Sequence, residues 1–407
     1  MDIIEQSKKL LNQEIFQRKS YFSLLEQFLQ TNQIIVIQGQ RRTGKSYCII
    51  GYFQWKQINP KEIFFLNKEL DSENKIQTVT DLNNIWSYYL EQYGEPKYIV
   101  IDEIQDIKER EIFIRARYTE KKFKIIISWS SSKLLSWELS TYLAWRYLSF
   151  SVYPLGFDEF LEYPTNQQKT FVEYLRYGGL PEIHKIENDT VKSQYLKDIF
   201  DSILLKDVLA RFQIKDIPFF QKILWYLADN IGNPFSLRNL QNYAKTYGRG
   251  NASLEKISHY LQCLEIPFLI YKVPFFNIQG KKILEHAGKY YFNDIGIRNT
   301  FNFSFEKDKG KIIENLVFLH LKRLGYEIFV GKYGDCEIDF MAKKENTLNY
   351  FQVAYTLESE EVHHREFGNL LKIDNNFPKY VISVDPYPTD FQWIKHFNIE
   401  EFFKNFH

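Results

Sequence analysis

Eight consecutive residues near the start of the chain have the types and the spacing of a phosphate-binding loop, G-x-x-x-x-G-K-S. Its glycines would let backbone N–H groups turn toward phosphate, Lys45 would reach the β and γ oxygens, and Ser46 would ligate Mg²⁺. A β-branched run precedes the loop and a helical pattern follows it, so the positive end of a helix dipole would face the phosphates. ATP and Mg²⁺ are therefore the expected ligands. The residues predicted to bind the nucleotide are Gly39, Gln40, Arg41, Arg42, Thr43, Gly44, Lys45 and Ser46.

A second polar element, Asp102 and Glu103, follows the apolar residues 98–101. Both carboxylates would stand at the carboxyl end of a buried strand, which is the edge where α/β sheets bind ligands. Asp102 would hold Mg²⁺ together with Ser46, and Glu103 would polarise the attacking water as a general base. These residues predict an ATP hydrolase in which Asp102 also contacts the cofactor. The next two residues, Gln105 and Asp106, could help orient the site, but we interpret them as a solvated turn.

The elements that would position these side chains are indicated by five short apolar runs, which alternate with helical or loop-like stretches. The runs cover residues 33–39, 62–67, 98–103, 124–129 and about 148–155. Such alternation is typical of parallel strands joined by crossover connections. It predicts an α/β fold of the P-loop NTPase type over residues 1–165, and the helical periodicity that follows predicts a helical connector over 166–215.

The second half of the chain predicts two further domains. Over residues 216–300, Ser236 and Ser253 are candidate N-caps of two amphipathic helices, and two aromatic-rich runs surround a turn near Gly280. Helix, helix and hairpin together indicate a winged helix. Residues 301–407 predict an α/β domain with the order helix, three strands, helix, strand. Its predicted elements are 311–324, 326–332, 337–343, 350–356, 359–372 and 379–385.

The composition excludes several classes of protein. Of the 407 residues, 44% are hydrophobic and 25% charged, and no stretch approaches the ~18 uninterrupted apolar residues of a membrane span. The 52 basic and 51 acidic residues nearly cancel, so any binding of nucleic acid or lipid has to be local. Cys48, Cys263 and Cys336 have no paired spacing, which predicts neither a disulfide framework nor a zinc site. Because the first residues do not read as an export signal, we expect a cytoplasmic protein.

Over nearly its whole length the chain resembles the prokaryotic AAA-superfamily ATPases that carry a C-terminal domain of unknown function. This resemblance implies an AAA/ASCE-type parallel sheet. It also implies a polar sensor for the γ-phosphate, Ser128 or Ser130, and makes Arg146 a candidate for stabilising the transferred phosphoryl group in its own subunit or a neighbour's. The motifs that carry it are GQRRTGKS, VIDEIQ, SSSKLL, LSTYLA, RYLSFSVYPLGFDEF, YGGLPEI, GNPFSLRNL, KYYFNDIGIRN, CEIDFMA, YFQVAYTL and PKYVISVD.

Four tryptophans stand where the family pattern has glycine: Trp129, Trp137, Trp145 and Trp393. A glycine-to-tryptophan change adds a large indole and removes easy access to positive φ, so four independent changes are physically improbable. A shared cause is more economical. We therefore predict that the gene comes from an organism that reads UGA as glycine, and that translation of UGA as tryptophan produced these residues. Inspection of the four codons tests this prediction.

Glu314, Asp339 and the run Gln352-Val353-Ala354 resemble the layout of the restriction-endonuclease-like fold. Its chemistry needs two carboxylates for a metal ion and a lysine near the attacking water. Here Gln352 takes the place of the second strand carboxylate and Ala354 takes the place of the lysine. We therefore predict an inactive nuclease-like domain. Glu337 could substitute as a ligand, which keeps an active, metal-dependent nuclease coupled to ATP open.

The predicted winged helix raises the question of DNA binding, because phosphate contacts need clustered cations. The second helix of the pair presents a nearly neutral face, and DNA, a protein partner and simple packing all stay open as its role, as does assembly into an oligomer. A slow nucleotide-gated switch stays open beside an ATPase that moves its C-terminal domains. The cations of this region are Arg238, Lys245, Arg249, Lys281 and Lys282.

Overall fold

The computed structural model describes residues 2–71, 73–131, 146–165, 168–246, 253–301 and 305–406. The chain forms two compact units, the N-terminal unit Met1–Val152 and the C-terminal unit Tyr153–His407. The N-terminal unit ends before the predicted domain boundary at residue 165, because its last strand ends at Ser151. Residues beyond it pack in the C-terminal unit, where the backbone N–H of Leu155 donates to the carbonyl of Gly179 at 2.7 Å.

The N-terminal unit contains a five-stranded sheet in the order β2-β3-β4-β1-β5, and all of its neighbouring strands pair in parallel. This confirms the predicted parallel α/β sheet. Strands β1–β5 are Ile34–Gln38, Ile63–Asn67, Tyr98–Asp102, Lys124–Trp129 and Tyr147–Ser151. Its described helices α1–α5 are Asp2–Leu11, Phe22–Gln30, Lys45–Trp55, Val79–Tyr93 and Arg110–Thr119.

Two hydrophobic cores cover the two faces of this sheet. Ile34 and Val36 of β1 belong to one core, while Ile35 and Ile37 belong to the other. This division follows from the alternation of side chains along a strand, and it explains why a strand that is buried on both faces has a continuous apolar sequence. Helices α4 and α5 contribute to the first core, and α2 and α3 to the second. The sheet is thus a rigid support for the loops at its edges.

The C-terminal unit contains a mixed eight-stranded sheet in the order β13-β12-β11-β10-β9-β7-β8-β6. Strands β6–β13 are Phe235–Ser236, Ile270–Asn277, Lys282–Phe292, Glu327–Tyr333, Cys336–Lys344, Thr347–Val353, Lys379–Ser383 and Lys395–Asn398. Its described helices α6–α15 are Phe157–Glu162, Phe171–Tyr177, Asp189–Ser202, Ile217–Asp229, Leu237–Thr246, Leu254–Glu265, Ile295–Asn299, Phe305–Arg323, Glu360–Leu371 and Ile399–Asn405. The stretch Ile203–Ala210 continues α8 as a π-helix.

The predicted boundary at residue 300 falls inside this continuous sheet. Strands β7 and β8 form the predicted antiparallel hairpin, and β7 also pairs in parallel with β9, aligning Phe275 with Val330. The strands assigned to a winged helix and to a last domain therefore share one hydrogen-bonded sheet. The winged helix and the nuclease-like domain themselves stay predictions. Strand β13 and helix α15 were not predicted, because the strand has only four residues and a weak alternation.

Candidate functional site

The predicted phosphate loop connects the end of β1 to the start of α3. Gly39 has a φ of +150°, and a Cβ there would lie 2.2 Å from the carbonyl oxygen of Val152. Gly44, with a φ of +90°, is the N-cap of α3. Both positions require glycine, because an L side chain rarely adopts such backbone angles and the space beside Gly39 is filled by backbone. The loop is thus held in a fixed turn that ends at a helix N-terminus.

Arg18 is a residue of this loop's environment that the sequence did not reveal. Its guanidinium Nη1 donates to the carbonyl of Thr43 at 2.9 Å, and 3% of the residue is exposed. The hydroxyl of Thr43 in turn donates to the carbonyl of Gln40 at 2.9 Å. Arg18 lies 25 positions before its loop partner and outside any motif, so only the fold brings it there.

Asp102 lies at the end of β3 and accepts hydrogen bonds from two hydroxyls, those of Ser46 and Ser128. It is fully buried, and burial followed by the nearby charge of Glu103 raises the pKa of Asp102 above its ordinary value. A carboxylate and a hydroxyl in direct contact offer the oxygen ligands that Mg²⁺ prefers. The residues present therefore fit the predicted magnesium ion, with Ser46 and Asp102 as its protein ligands.

Glu103 lies beside Lys45. Its Oε1 is 3.2 Å from Lys45 Nζ, and both side chains are at most 5% exposed. Burial opposes ionisation, but the charge of Lys45, followed by that of Arg41, outweighs it and holds the pKa of Glu103 below its ordinary range. The residue has a φ of +54°, an uncommon backbone conformation for a residue with a side chain. An ionised carboxylate is thus held at the sheet edge, as a general base requires.

The interpretation of Gln105 as part of a solvated turn was wrong for its side chain. Its Nε2 donates to Glu103 and, at 3.1 Å, to the hydroxyl of Ser130. Asp106 next to it is exposed, as expected. A sequence shows the short turn but not its direction, and a 3-10 helix at Ile104–Asp106 turns Gln105 back toward the site. Ser128 and Ser130, the two sensor candidates, thus contact Asp102 and Gln105 respectively.

Arg146 is not brought to this site within its own chain. It precedes β5, and its carbonyl accepts the backbone N–H of Ile34 at the opposite end of β1 from the phosphate loop. A five-residue strand, about 17 Å long, separates the two edges. Its guanidinium carbon lies 5.7 Å from the ring centroid of Tyr118. Its role in stabilising the transferred phosphoryl group stays a prediction. The position of Arg146 is compatible with that role in a neighbouring subunit.

Of the four tryptophans at predicted glycine positions, the described residues include two. Trp129 is fully buried in the first core, and its indole N–H has no hydrogen-bond partner among the described residues. Trp393 is 66% exposed. Trp137 and Trp145 lie outside the described residues. An N–H buried without an acceptor is costly, but the codon hypothesis stays a prediction.

The motifs YGGLPEI and KYYFNDIGIRN meet inside the C-terminal unit. The carboxylate of Asp294 accepts the backbone N–H of Gly179 at 2.8 Å and that of Ile297 at 3.0 Å. A Cβ on Gly178, whose φ is +72°, would lie 2.5 Å from Asp294 Oδ1. These glycines thus have a packing role, because they let two distant segments approach closely.

The predicted nuclease-like residues also converge. Glu314 of α13 and Asp339 of β10 both lie beside Lys289 of β8, and with Glu337 they form a group that we call the Lys289 cluster. Gln352 accepts the backbone N–H of Asp339 at 2.7 Å. The sequence offered no lysine at position 354, yet pairing of β7 with β9 supplies one from the hairpin. In the described parts of the chain, no group of three or more His, Cys, Asp or Glu side chains has a geometry suited to a metal ion.

The described cations that the sequence predicts for the winged-helix region are exposed, namely Arg238, Lys245, Lys281 and Lys282. Lys256 of α11 pairs with Asp216, at 2.9 Å between Nζ and Oδ2. Arg249 lies outside the described residues.

Across the helices that the structure describes, none combines the length and apolar character needed to cross a bilayer.

The chain matches known sequence families and two relatives over most of its length. Residues 31–161 match a sequence family described as an AAA domain, and residues 168–308 match a domain of unknown function, DUF8612. An uncharacterized protein of Haemophilus influenzae is 34% identical over 382 residues, covering 92% of this chain and 94% of that protein. An uncharacterized protein of Methanocaldococcus jannaschii is 33% identical over 368 residues, covering 84% of this chain and 80% of that protein.

Solved structures show only a distant likeness. The Aeropyrum pernix ORC1 protein, in complex with DNA, aligns at a TM-score of 0.30 and 11% identity over 70% of this chain and 92% of that one. AMPPCP-bound DnaA from Aquifex aeolicus aligns at a TM-score of 0.31 and 15% identity over 61% of this chain and 87% of that one. The match to the AAA domain supports ATP binding at the predicted loop.

Proposed function

This chain belongs to the family of AAA-domain proteins that includes its Haemophilus influenzae and Methanocaldococcus jannaschii relatives, and on that premise we propose that it is a Mg²⁺-dependent ATPase. The observation that carries the proposal is the meeting of Lys45, Ser46, Asp102 and Glu103 at one edge of the parallel sheet. Each has the chemistry that phosphoanhydride hydrolysis needs. Lys45 and Ser46 come from the start of α3, and Asp102 and Glu103 from the end of β3.

The triphosphate binds at the loop between β1 and α3. Its negative charge is offset by the backbone N–H groups of the loop, by the N-terminus of α3 and by the ammonium of Lys45. Lys45 now pairs with Glu103 and also donates to the carbonyls of Gly39 at 3.1 Å and Gln40 at 3.3 Å. Nucleotide binding therefore exchanges part of these contacts for phosphate oxygens, and Glu103 becomes available to a water molecule.

Ser46 and Asp102 would hold the magnesium ion, and Ser128 keeps the Asp102 carboxylate in place through the hydrogen bond from its hydroxyl. When bound, Mg²⁺ offsets the negative charge that develops on the β and γ phosphate oxygens. Glu103 is ionised at neutral pH, and once Lys45 turns to the phosphate oxygens its carboxylate is able to accept a proton from the attacking water. Gln105 positions Glu103 from the side opposite Lys45.

Steady-state phosphate release and calorimetric titration with MgATP test this proposal. We expect Lys45→Ala to abolish MgATP binding. We expect Glu103→Gln to keep binding and to lower kcat by roughly 10²–10⁴-fold, which is the usual contribution of a general base. The exposed residues Lys122 and Glu91 supply the matched controls Lys122→Ala and Glu91→Gln, which should behave as the unmodified chain. Equal heats for Lys45→Ala and the unmodified chain would contradict the assigned site.

The output of hydrolysis is a conformational change that acts on DNA or a protein through the C-terminal unit. Phosphate release with and without double-stranded DNA distinguishes these partners, because a DNA-directed ATPase should be stimulated by it. A turnover that stays very slow under both conditions, with MgATP binding intact, would favour the alternative of a nucleotide-gated switch.

A further inference from the structure

The Lys289 cluster surrounds one buried ammonium group with three carboxylates. Lys289 Nζ lies 2.9 Å from Glu314 Oε1, 2.9 Å from Glu337 Oε1 and 3.3 Å from Asp339 Oδ1. Only 3% of the lysine side chain is exposed, so the carboxylates take the place of water around it. Gly232, with a φ of +71°, lies against Glu314, where a Cβ would come within 3.1 Å of the carboxylate.

The fold brings these groups together from three elements. Strand β10 shifts its pairing register with β9 between Ile338 and Met341, and Asp339 lies in that shift. A bulge of this kind redirects a side chain. Asp339 Oδ2 accepts the backbone N–H of Val353 at 2.9 Å, which fixes the carboxylate against the next strand.

The ammonium donates hydrogen bonds to two of the carboxylates and forms an ion pair with the third. Its hydrogen bonds go to Glu314 at 2.9 Å and Asp339 at 3.3 Å, and Glu337 Oε1 lies 2.9 Å away. Glu314 also accepts the hydroxyl of Tyr291 at 2.6 Å. The polar groups of the cluster are thus bound to one another.

The charge balance favours the ammonium over a metal ion. Three carboxylate oxygens lie within 3.3 Å of Lys289 Nζ, and the ammonium is the cation that balances them. A divalent cation that entered the cluster would therefore meet a like charge at contact distance. A lysine tied to three carboxylates is also unable to assist an attacking water.

We propose that the Lys289 ammonium is the resident cation of this cluster: it balances the charge of Glu314, Glu337 and Asp339 in place of a divalent metal ion, and it makes the C-terminal unit a metal-independent, non-nucleolytic scaffold. The proposal goes beyond ATP hydrolysis, because all four side chains belong to the C-terminal unit. It also supplies a physical cause for the inactivity predicted from Gln352 and Ala354.

Calorimetric titration of the full chain with Mn²⁺ tests this inference. The protein is treated with EDTA, dialysed and carries Asp102→Asn, so that the phosphate site does not contribute. We expect no saturable binding while Lys289 is present, and stoichiometric Mn²⁺ binding at least ~10-fold tighter in Lys289→Met, because the cluster then offers three carboxylates and no cation. Adding Asp339→Ala should remove the gained site. Lys322→Met, at a largely buried lysine of α13 outside the cluster, is the matched control.

Three results would overturn the proposal. One is saturable Mn²⁺ binding by the chain with Lys289 that Asp339→Ala abolishes. Another is Mn²⁺-dependent DNA cleavage that depends on Asp339. The third is a folded Lys289→Met protein that binds no Mn²⁺. If Lys289→Met does not fold, thermal unfolding of the Lys289-containing chain decides: a Tm unchanged by Mn²⁺ supports the proposal, and a rise that Asp339→Ala removes contradicts it.

Discussion

Two buried lysines, Lys45 in the N-terminal unit and Lys289 in the C-terminal unit, lie among carboxylates at similar distances, yet their surroundings differ. Lys45 contacts one carboxylate and two backbone carbonyls at the start of a helix, next to a glycine turn. Lys289 contacts three carboxylates, one from helix α13 and two from strand β10. The residue types alone therefore do not distinguish a ligand site from a structural ion cluster.

The surroundings of the two lysines differ in the groups that remain available to bind an anion. A helix N-terminus and turned backbone N–H groups attract phosphate, and carbonyl partners are easily given up by an ammonium. Carboxylates on rigid strands hold their cation and repel phosphate. A lysine of a binding site can thus exchange its backbone carbonyl partners for a ligand, whereas a lysine that stabilises the fold is held by several carboxylates.

The largest expected effect concerns the loss of each lysine. Lys289→Ala leaves three partly buried carboxylates without a cation and should lower the free energy of unfolding by about 3–5 kcal/mol. Lys45→Ala leaves one carboxylate, which Gln105 still contacts, and should cost roughly 1–3 kcal/mol. Urea denaturation without nucleotide measures both. Equal losses in the free energy of unfolding would contradict the proposed difference between the two lysines.

The two carboxylates beside the lysines should also respond to pH with opposite sign. Burial raises the pKa of Glu314 to about 7 although Lys289 opposes it. Its contribution to stability is therefore complete below the unfolded value of 4.5 and is lost as pH rises through about 7. For Glu103 the folded pKa is lowered, so its contribution is present above 4.5 and is lost as pH falls below that value.

The free energy of unfolding of Glu314→Gln and Glu103→Gln, measured between about pH 3 and about pH 8.5, tests these signs. The first variant should lose the decline of stability toward pH 8, and the second should lose the decline toward acid. The same slope in both variants would contradict the assignment of Glu314 to a closed cluster.

A smaller effect distinguishes the two sites by ligand. MgATP at 100 times its Kd should raise the free energy of unfolding by ~2.7 kcal/mol, provided that it binds only the folded chain. We expect Glu314→Gln to retain this stabilisation and Lys45→Ala to lose it. Thermal unfolding with and without MgATP measures the difference, and a loss in both variants would mean that the two sites are not independent.

The smallest effect concerns Gln105. Gln105→Leu removes the hydrogen bond to Glu103 and should lower kcat about tenfold, equivalent to ~1.4 kcal/mol, with KM unchanged. Because Gln105 acts through Glu103, the acid limb of the kcat profile should also move to higher pH. Gln92→Leu, at an exposed position of α4, is the control. A change in KM alone would assign Gln105 to nucleotide binding instead.

Much of the N-terminal unit could be predicted from the sequence because its information is local. Strands buried on both faces have continuous apolar sequences, and the loop, Lys45, Ser46, Asp102 and Glu103 lie within short motifs beside them. The parallel sheet was confirmed on this basis. Arg18 could not be predicted, since it is distant in sequence. For Gln105 a role in the site stayed an alternative, because its contact depends on the direction of a single 3-10 turn.

In the C-terminal unit the decisive information is long-range. Lys289 is 25 positions from Glu314 and 50 from Asp339, and only the pairing of β7 with both β8 and β9 brings them together. The sequence placed helices and strands but assigned the hairpin and the later strands to separate domains, because no local pattern encodes a parallel pairing across 50 or more residues.

The shared sheet also limits how this protein can be dissected. A fragment that ended at residue 300 would strip β7 of its partner β9 and leave the backbone groups of 275–277 open at a sheet edge that carries two phenylalanines. Unpaired edges with apolar side chains invite intermolecular strand addition, so such a fragment should aggregate rather than report on the hairpin's own binding properties.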